Sequence, residues 1–481
     1  MIAHQIHDPL LSQHTYLVAA NGSSEAIIID PECDIDRYQH AAERRDLTIA
    51  AAFETHLHAD FLSGLRAFAE AGVPVYASDA GAPDVRYDWL LETTDVEYRL
   101  LTDGDIVSVD GITIEALHTP GHAPEHLCYL LSSTKNPELP DAVATGDFLL
   151  VGGAGAPAGR ETGNGTSASG TPTPAPPIAH DALQRIAQLP PSTHVWPLHS
   201  AGTLCGYAPS AWPVSTVGHE TETNPFLRAV SDDTANVHEA AEGSEGHALS
   251  VYHPSPPGYF TRVRRRNRTA PPSDCTPASA PWISPEHLQD VVLDADALVL
   301  DTRPSVHDFL GSHLRGALYV PFNDDVLTLA GAFVPTAPPI YLVAAPDLET
   351  DPTPALRALA RIGIDRVAGL FPSRLHDSLP EDLRTPTSLL SAAHLPLLAR
   401  HPGVAVVDIR MPGAYTRDHV HGAVNMPYTQ LPETASALPM ESVIVVHGGS
   451  VHETTAAGAY LVHCGYDVGC AFETTSVPVQ A

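Results

Sequence analysis

Lysine is nearly missing from this chain. Lys135 is the only one in 481 residues, and the 25 basic side chains face 57 acidic ones for a formal net charge of −32. A surface of that sign repels phosphate, so nucleic acid is not an expected partner. Such an excess of Asp and Glu suits a soluble protein in a salty cytoplasm, where mobile ions screen the self-repulsion. A GC-rich genome without halophily also suppresses lysine, and both origins stay open. Cysteine is scarce as well: six residues, scattered without paired spacing, give no disulfide framework and fit a reducing compartment. No apolar run is long enough to span a bilayer. The opening Met1-Ile2-Ala3-His4-Gln5-Ile6-His7 has neither the basic start nor the apolar centre of a secretion signal. The expectation is a cytoplasmic protein of about three domains that does not engage a membrane.

Histidine, by contrast, is abundant, with 27 residues. The apolar run Leu47 to Phe53 reads as a buried strand, and it leads into Thr55-His56-Leu57-His58-Ala59-Asp60-Phe61. Two histidines at i and i+2 on an extended backbone point the same way, and a carboxylate follows two residues later, which is metal-ligand spacing. Three further pieces come in order: His118-Thr119-Pro120-Gly121-His122, Thr145-Gly146-Asp147, and Trp196-Pro197-Leu198-His199. Together they predict a metal site.

These phrases resemble the metallo-β-lactamase fold, an αββα sandwich. More narrowly they resemble its persulfide dioxygenase branch, whose members carry rhodanese-like domains at the C-terminus. His122-Ala123-Pro124-Glu125-His126, Ala201-Gly202-Thr203-Leu204-Cys205-Gly206 and Ser215-Thr216-Val217-Gly218-His219-Glu220 with Asn224-Pro225 all fit that branch. The resemblance implies one Fe(II) per chain, held by His56, His122 and Asp147, with His58 either a fourth ligand or a partner of a ligand. Dinuclear hydrolases of this fold have a histidine where Phe61 stands, so a second ion is short of donors. Two histidines and one carboxylate with open positions suit Fe(II) oxygenases. The implied reaction is oxidation of a thiol persulfide to sulfite by O₂. The alternatives are zinc-dependent hydrolysis of a thiolester, and a non-catalytic sulfur-binding scaffold. Asp60 is expected to orient a ligand histidine or a metal-bound water rather than to ligate. Cys205 either faces the pocket and handles persulfide sulfur or is a buried inert thiol. His118 reads as structural and His126 as a satisfied buried histidine.

Some positions depart from the branch. Ala156 stands where an arginine is usual, and Gly153 and Ala158 replace acids. Thr162 to Gly170 has the composition of a mobile loop, and Thr221, Glu222 and Thr223 replace basic residues that would pair with glutathione-type carboxylates.

The second half resembles two rhodanese-like α/β domains with parallel sheets, one opening at Leu298-Val299-Leu300-Asp301 and one at Val404 to Arg410. The spacing of Asp301 and Asp408 reads as an internal duplication. The expected map is a metallo-β-lactamase-like domain at 1–250, a Pro-rich linker at 251–281, and rhodanese-like domains at 282–375 and 386–481. Sulfur transfer needs a thiolate at the end of a central strand, cradled by amides at a helix start. Ala344-Ala345 and His447 occupy those places, so both modules are expected to lack that chemistry and to serve structure or docking. Arg262-Val263-Arg264-Arg265-Arg266-Asn267-Arg268 reads as a solvated stretch or an internal clamp onto acidic groups. Small molecules, a persulfide and O₂, are the expected partners, with a homo-oligomer left open.

Overall fold

The computed structural model describes residues 1–80, 85–156, 179–231, 257–270, 275, 279–287, 290–291, 297–335, 339–374 and 381–472. The Gly-Ser-Thr run at 162–170, Ala158, and the linker prolines Pro271, Pro272 and Pro277 lie outside them. The chain divides into two compact units: Met1–Pro254 with Phe260–Asp274, and Ser255–Tyr259 with Cys275–Ala481.

The first unit is built on two six-stranded sheets. One runs in chain order through Ile2–Asp8, Gln13–Ala19, Glu25–Ile29, Thr48–Phe53, Val75–Ser78 and Tyr98–Leu101. The other runs Ser215–Thr216, His194–Pro197, Ala142–Gly146, Leu127–Ser133, Ile112–His118, Ile106–Val109. Side chains alternate across each strand, and the cores follow that period. Tyr16, Val18, Ala51 and Phe53 face Ile114, Leu131, Ala144 and Trp196 between the sheets. Their neighbours Leu17, Ala19 and Ala52 pack outward with Tyr38, Leu65 and Phe68. Val143 and Val195 pack outward on the other side with Leu183, Ile186, Phe226 and Leu227. Central strands buried on both faces need near-continuous apolar sequence, which is why Thr48–Phe53 reads TIAAAF. The result is helix, sheet, sheet, helix.

The second unit holds two parallel sheets. Leu318–Tyr319, Leu298–Asp301, Ile340–Val343 and Val367–Phe371 form one. Ser388–Ser391, Val468–Phe472, Val443–His447, Val404–Asp408 and Val424–Asn425 form the other. Apart from the added edge strand, their strand order is the same. Each also carries the same fork: Arg303 donates through Nε and Nη2 to Asp301 at 2.9 and 2.6 Å, and Arg410 to Asp408 at 3.0 and 2.6 Å. The two sheets belong to one unit, with Tyr319 stacked on His452 and Phe333 on Tyr460.

Within the stretch read as linker, Tyr259–Thr269 is a helix, and residues 260–274 count with the first unit. Cys128, Cys205, Cys464 and Cys470 are free thiols; Cys33, expected to be free, is disulfide-bonded. Among the described residues no helix is long and apolar enough to cross a membrane.

Candidate metal centre

Four loops leaving the strands Thr48–Phe53, Ile112–His118, Ala142–Gly146 and His194–Pro197 bring the marked residues together. His56, His122 and Asp147 are buried with their ligand atoms within 4.8 Å of one another. Asp147 Oδ2 lies 3.9 Å from His56 Nε2 and 3.7 Å from His122 Nε2. The other nitrogen of each ring is already used. His56 Nδ1 is 3.0 Å from Thr55 Oγ1, whose hydroxyl donates to Asp30. His122 Nδ1 donates to the Ala156 carbonyl. Donation from Nδ1 fixes the tautomer and leaves Nε2 as a lone pair. Burial, followed by neighbouring imidazoles, holds His56 well below the usual histidine range. Burial lowers His122 too, despite the pull of Asp147. Two neutral imidazoles thus aim lone pairs at a carboxylate oxygen.

That oxygen, Asp147 Oδ2, is buried and has no hydrogen-bond partner. An orphaned anionic oxygen in a protein interior is costly unless something else satisfies it. A divalent cation satisfies it and both imidazoles at once, so the donor set fits a metal. Gly146 makes the approach possible: at φ +50°, a Cβ there would lie 2.4 Å from His126 Nε2. His126 is the satisfied buried histidine expected, with Nδ1 on Thr119 Oγ1 at 2.8 Å and Nε2 accepting from Asp147 N at 3.2 Å. His118 is half-buried and bonds the Pro124 carbonyl.

His58 stands apart from this group. The strand ends at Phe53, so the period-two argument no longer applies at position 58. Its ring turns to Asp30 (3.2 Å) and Glu54 (3.4 Å) and stacks on Phe61 at 4.3 Å. Burial would lower it, but the two carboxylates outweigh burial and push it up to about 9. Burial in turn raises Glu54 to about 7. Phe61 thus packs on the His58 ring and brings no donor of its own.

Asp60, His199 and Cys205 form a second buried group beside the first. His199 bridges two carboxylates, with Nδ1 2.7 Å from Asp147 Oδ1 and Nε2 2.9 Å from Asp60 Oδ2. Burial alone would lower His199, yet Asp147 and Asp60 raise it to about 10. Burial works against the Asp60 charge, but His199 overrides it and holds Asp60 below the usual carboxylate range. Burial, then Asp60 and Asp147, push the Cys205 thiol well above its usual value. Cys205 is a neutral thiol here, not a thiolate nucleophile.

The supports around these groups carry little signal in the sequence. Asn267, on the helix Tyr259–Thr269, donates through Nδ2 to the carbonyls of His58 and Phe61, both at 2.8 Å. Its Oδ1 accepts from Ser63 N at 2.9 Å. On the same helix Arg264 pairs with Glu125, which accepts from Leu57 N at 3.2 Å. Arg268 pairs with Asp88 at 2.8 Å. The basic run is thus an internal clamp on the metal-site loop. Ala156, in the place of an expected arginine, contributes its backbone carbonyl instead.

In the second unit, His447 Nε2 lies 3.8 Å from Asp408 Oδ2 at the end of its strand. The following helix Val451–His463 starts with a capping box in which Glu453 takes the Ser450 N–H. A carboxylate thus sits at the helix start where a sulfur anion would need amides.

Residues 8–199 match the metallo-beta-lactamase superfamily and residues 391–471 the rhodanese-like domain. The chain belongs to the metallo-beta-lactamase superfamily and carries a rhodanese-like domain in its second half. It is 30% identical over 194 residues to a hydroxyacylglutathione hydrolase of Parasynechococcus marenigrum (strain WH8102), covering 40% of this chain and 68% of that protein. It is 25% identical over 241 residues to the mitochondrial persulfide dioxygenase ETHE1 of Bos taurus, covering 49% of this chain and 80% of that one. Among solved structures, a metallo-beta-lactamase from Staphylococcus aureus subsp. aureus COL superposes with a TM-score of 0.62 at 27% identity. That match covers 77% of this chain and 99% of the other.

Proposed function

We propose that the first unit is a mononuclear iron enzyme that oxidises the terminal sulfur of a thiol persulfide, with Fe(II) held by His56, His122 and Asp147. The observation that carries this reading is the division of Asp147: Oδ2 is buried, unpartnered and faces two imidazole lone pairs, while Oδ1 is taken by His199. With Phe61 in place of a further donor, one ion is served well and a second poorly. Fe(II) in a two-histidine, one-carboxylate set would supply open positions for a sulfur ligand and O₂.

The chain's own groups then have definite tasks. Thr55 and Ala156 hold the His56 and His122 rings in register. His199, fixed between Asp60 and Asp147, keeps Asp147 Oδ1 occupied so that Oδ2 is left for the metal. The Cys205 thiol gives a soft, uncharged wall that does not repel a persulfide anion. One persulfide, one O₂ and one water yield one thiol, one sulfite and two protons; the sulfane sulfur gives up the four electrons that O₂ takes. Likeness to a persulfide dioxygenase supports the assignment. A rhodanese-like domain in the same chain also fits sulfur chemistry. The shared strand order and the repeated Asp–Arg fork support reading 282–375 as a second such module. Both lack the cysteine and serve as structural or docking modules.

The second reading is zinc-dependent thiolester hydrolysis, favoured by likeness to a hydroxyacylglutathione hydrolase. The test is elemental analysis after anaerobic purification, followed by O₂ uptake with glutathione persulfide and thiolester cleavage on the same preparation. About one iron per chain with O₂ uptake supports the dioxygenase; zinc with thiolester cleavage replaces it by the hydrolase. Either activity surviving His122→Ala would refute the ligand set.

A further inference from the structure

The phrase Ser215 to Glu220 with Asn224 has no task in the chemistry above, yet Glu220 and Asn224 are fully buried. Both reach the loop that follows Asp147. Glu220 Oε2 accepts from Gly152 N at 2.9 Å, and Glu220 Oε1 accepts from Ser215 Oγ at 2.5 Å. Asn224 Nδ2 donates to the carbonyls of Leu150 (3.1 Å) and Gly153 (3.0 Å) and to Glu220 Oε2 (2.9 Å). Both helices here are short, so the bonds come from side chains and not from helix ends.

That loop is what orients His122. Leu150 and Gly153 pair with each other, Gly155 N donates to the Asp147 carbonyl at 2.9 Å, and Ala156 N to the Cys205 carbonyl at 2.7 Å. The Ala156 carbonyl then receives His122 Nδ1. The packing leaves no slack: a Cβ on Gly155 would lie 2.0 Å from Asp147 O and 2.9 Å from His122 Nδ1. Elsewhere in this branch an arginine side chain is expected at position 156. Here position 156 acts through its backbone, so its placement depends on what holds residues 150–153.

We infer that Glu220 and Asn224 are positioning residues for the metal centre, acting through the 150–156 loop on the tautomer and direction of His122. The inference rests on the reading that His56, His122 and Asp147 hold the metal. Carbonyl partners of ligand histidines typically govern metal affinity by about 10- to 100-fold.

The test titrates Co(II) into the metal-free full chain, read by a competing chelator and by the Co(II) ligand-field absorption, which reports donor geometry. Glu220→Ala and Asn224→Asp are expected to weaken Co(II) binding by about 10- to 100-fold and to change the band shape. Asparagine and aspartate have the same shape, but an aspartate would turn an acceptor toward two carbonyls and Glu220. Glu220→Gln keeps an acceptor for Gly152 N and Asn224 Nδ2, while Ser215 Oγ can accept from the new amide. It should bind Co(II) like the parent protein. Should Asn224→Asp fail to fold, Glu220→Asp, which withdraws the carboxylate by one methylene, is read in the same way. His122→Ala is the control. If it loses Co(II) while Glu220→Ala and Asn224→Asp bind normally, the positioning role is refuted and the centre stands. If Glu220→Gln is as weak as Glu220→Ala, acceptor geometry is not the cause and the inference falls. If His122→Ala binds as tightly as the parent, the centre itself is wrongly assigned.

Discussion

Removing the Asn267 side chain should loosen the loop that carries His56, His58 and Asp60 without touching their side chains. Asn267→Ala deletes three hydrogen bonds, to His58 O, Phe61 O and Ser63 N, at 2.8, 2.8 and 2.9 Å. At a net value of about 1 kcal/mol each, the loop loses about 3 kcal/mol of local stability. Each 1.4 kcal/mol is a factor of ten, so opening of the loop should become roughly a hundredfold more frequent. Hydrogen–deuterium exchange by mass spectrometry on a peptide spanning 57–64, in metal-free protein, reads this directly when reclosing is fast. Asn267→Asp sharpens the test. A carboxylate of the same size can still accept from Ser63 N, yet it faces two carbonyls it cannot satisfy, so it should be no better than alanine. Exchange at the parent rate in both variants, with the fold intact by circular dichroism, would show that the clamp does not hold the loop.

Other consequences can be checked separately. Cys205 should resist iodoacetamide at mildly alkaline pH while the exposed Cys464 reacts, because burial and two carboxylates keep the Cys205 thiol protonated; peptide mass spectrometry showing Cys205 modified first would contradict this. Asp103 accepts from His118 N and pairs with Arg185; burial opposes its charge, but these bonds hold it below the usual range. A depressed folded value means stability that is present above the ordinary aspartate value of about 3.9 and lost as pH falls through the folded one. Asp103→Asn should therefore flatten the acid limb of a denaturation–pH curve, and an unchanged limb would remove Asp103 from the account. With a net charge of −32, the melting temperature should rise from 0.1 M to 1 M KCl as the screening length falls from about 10 to about 3 Å; a flat or falling profile would count against self-repulsion. The second unit should not transfer sulfur from thiosulfate to cyanide, and turnover above a protein-free blank would overturn the reading of His447.

The sandwich and its loops were legible because they rest on local pattern. Two-sided burial forces apolar strands such as Thr48–Phe53, and the residues that follow each strand end carried the metal-type spacing. The direction of His58 was not legible: its ring is set by Asp30, which lies 28 positions earlier, and by a backbone that leaves the strand before the motif begins. Glu54 stands beside the motif and could have been suspected. Asn267 could not, since its partners lie more than two hundred residues away and it sits in a basic run whose charges are the more conspicuous feature. The duplicated second half was visible through Asp301 and Asp408, but only three-dimensional pairing shows that each of them anchors an arginine two residues on.

In the proposed reading, the arrangement around Asp147 is the reason one cation suits this centre. Two carboxylates, Asp147 and Asp60, flank His199, with Nδ1 2.7 Å from Asp147 Oδ1 and Nε2 2.9 Å from Asp60 Oδ2. In the proposed enzyme one divalent ion would take Oδ2, while His199 keeps Oδ1 and Asp60 occupied. A second divalent ion would have to take His199 away from both carboxylates, and Phe61 offers it no donor in return.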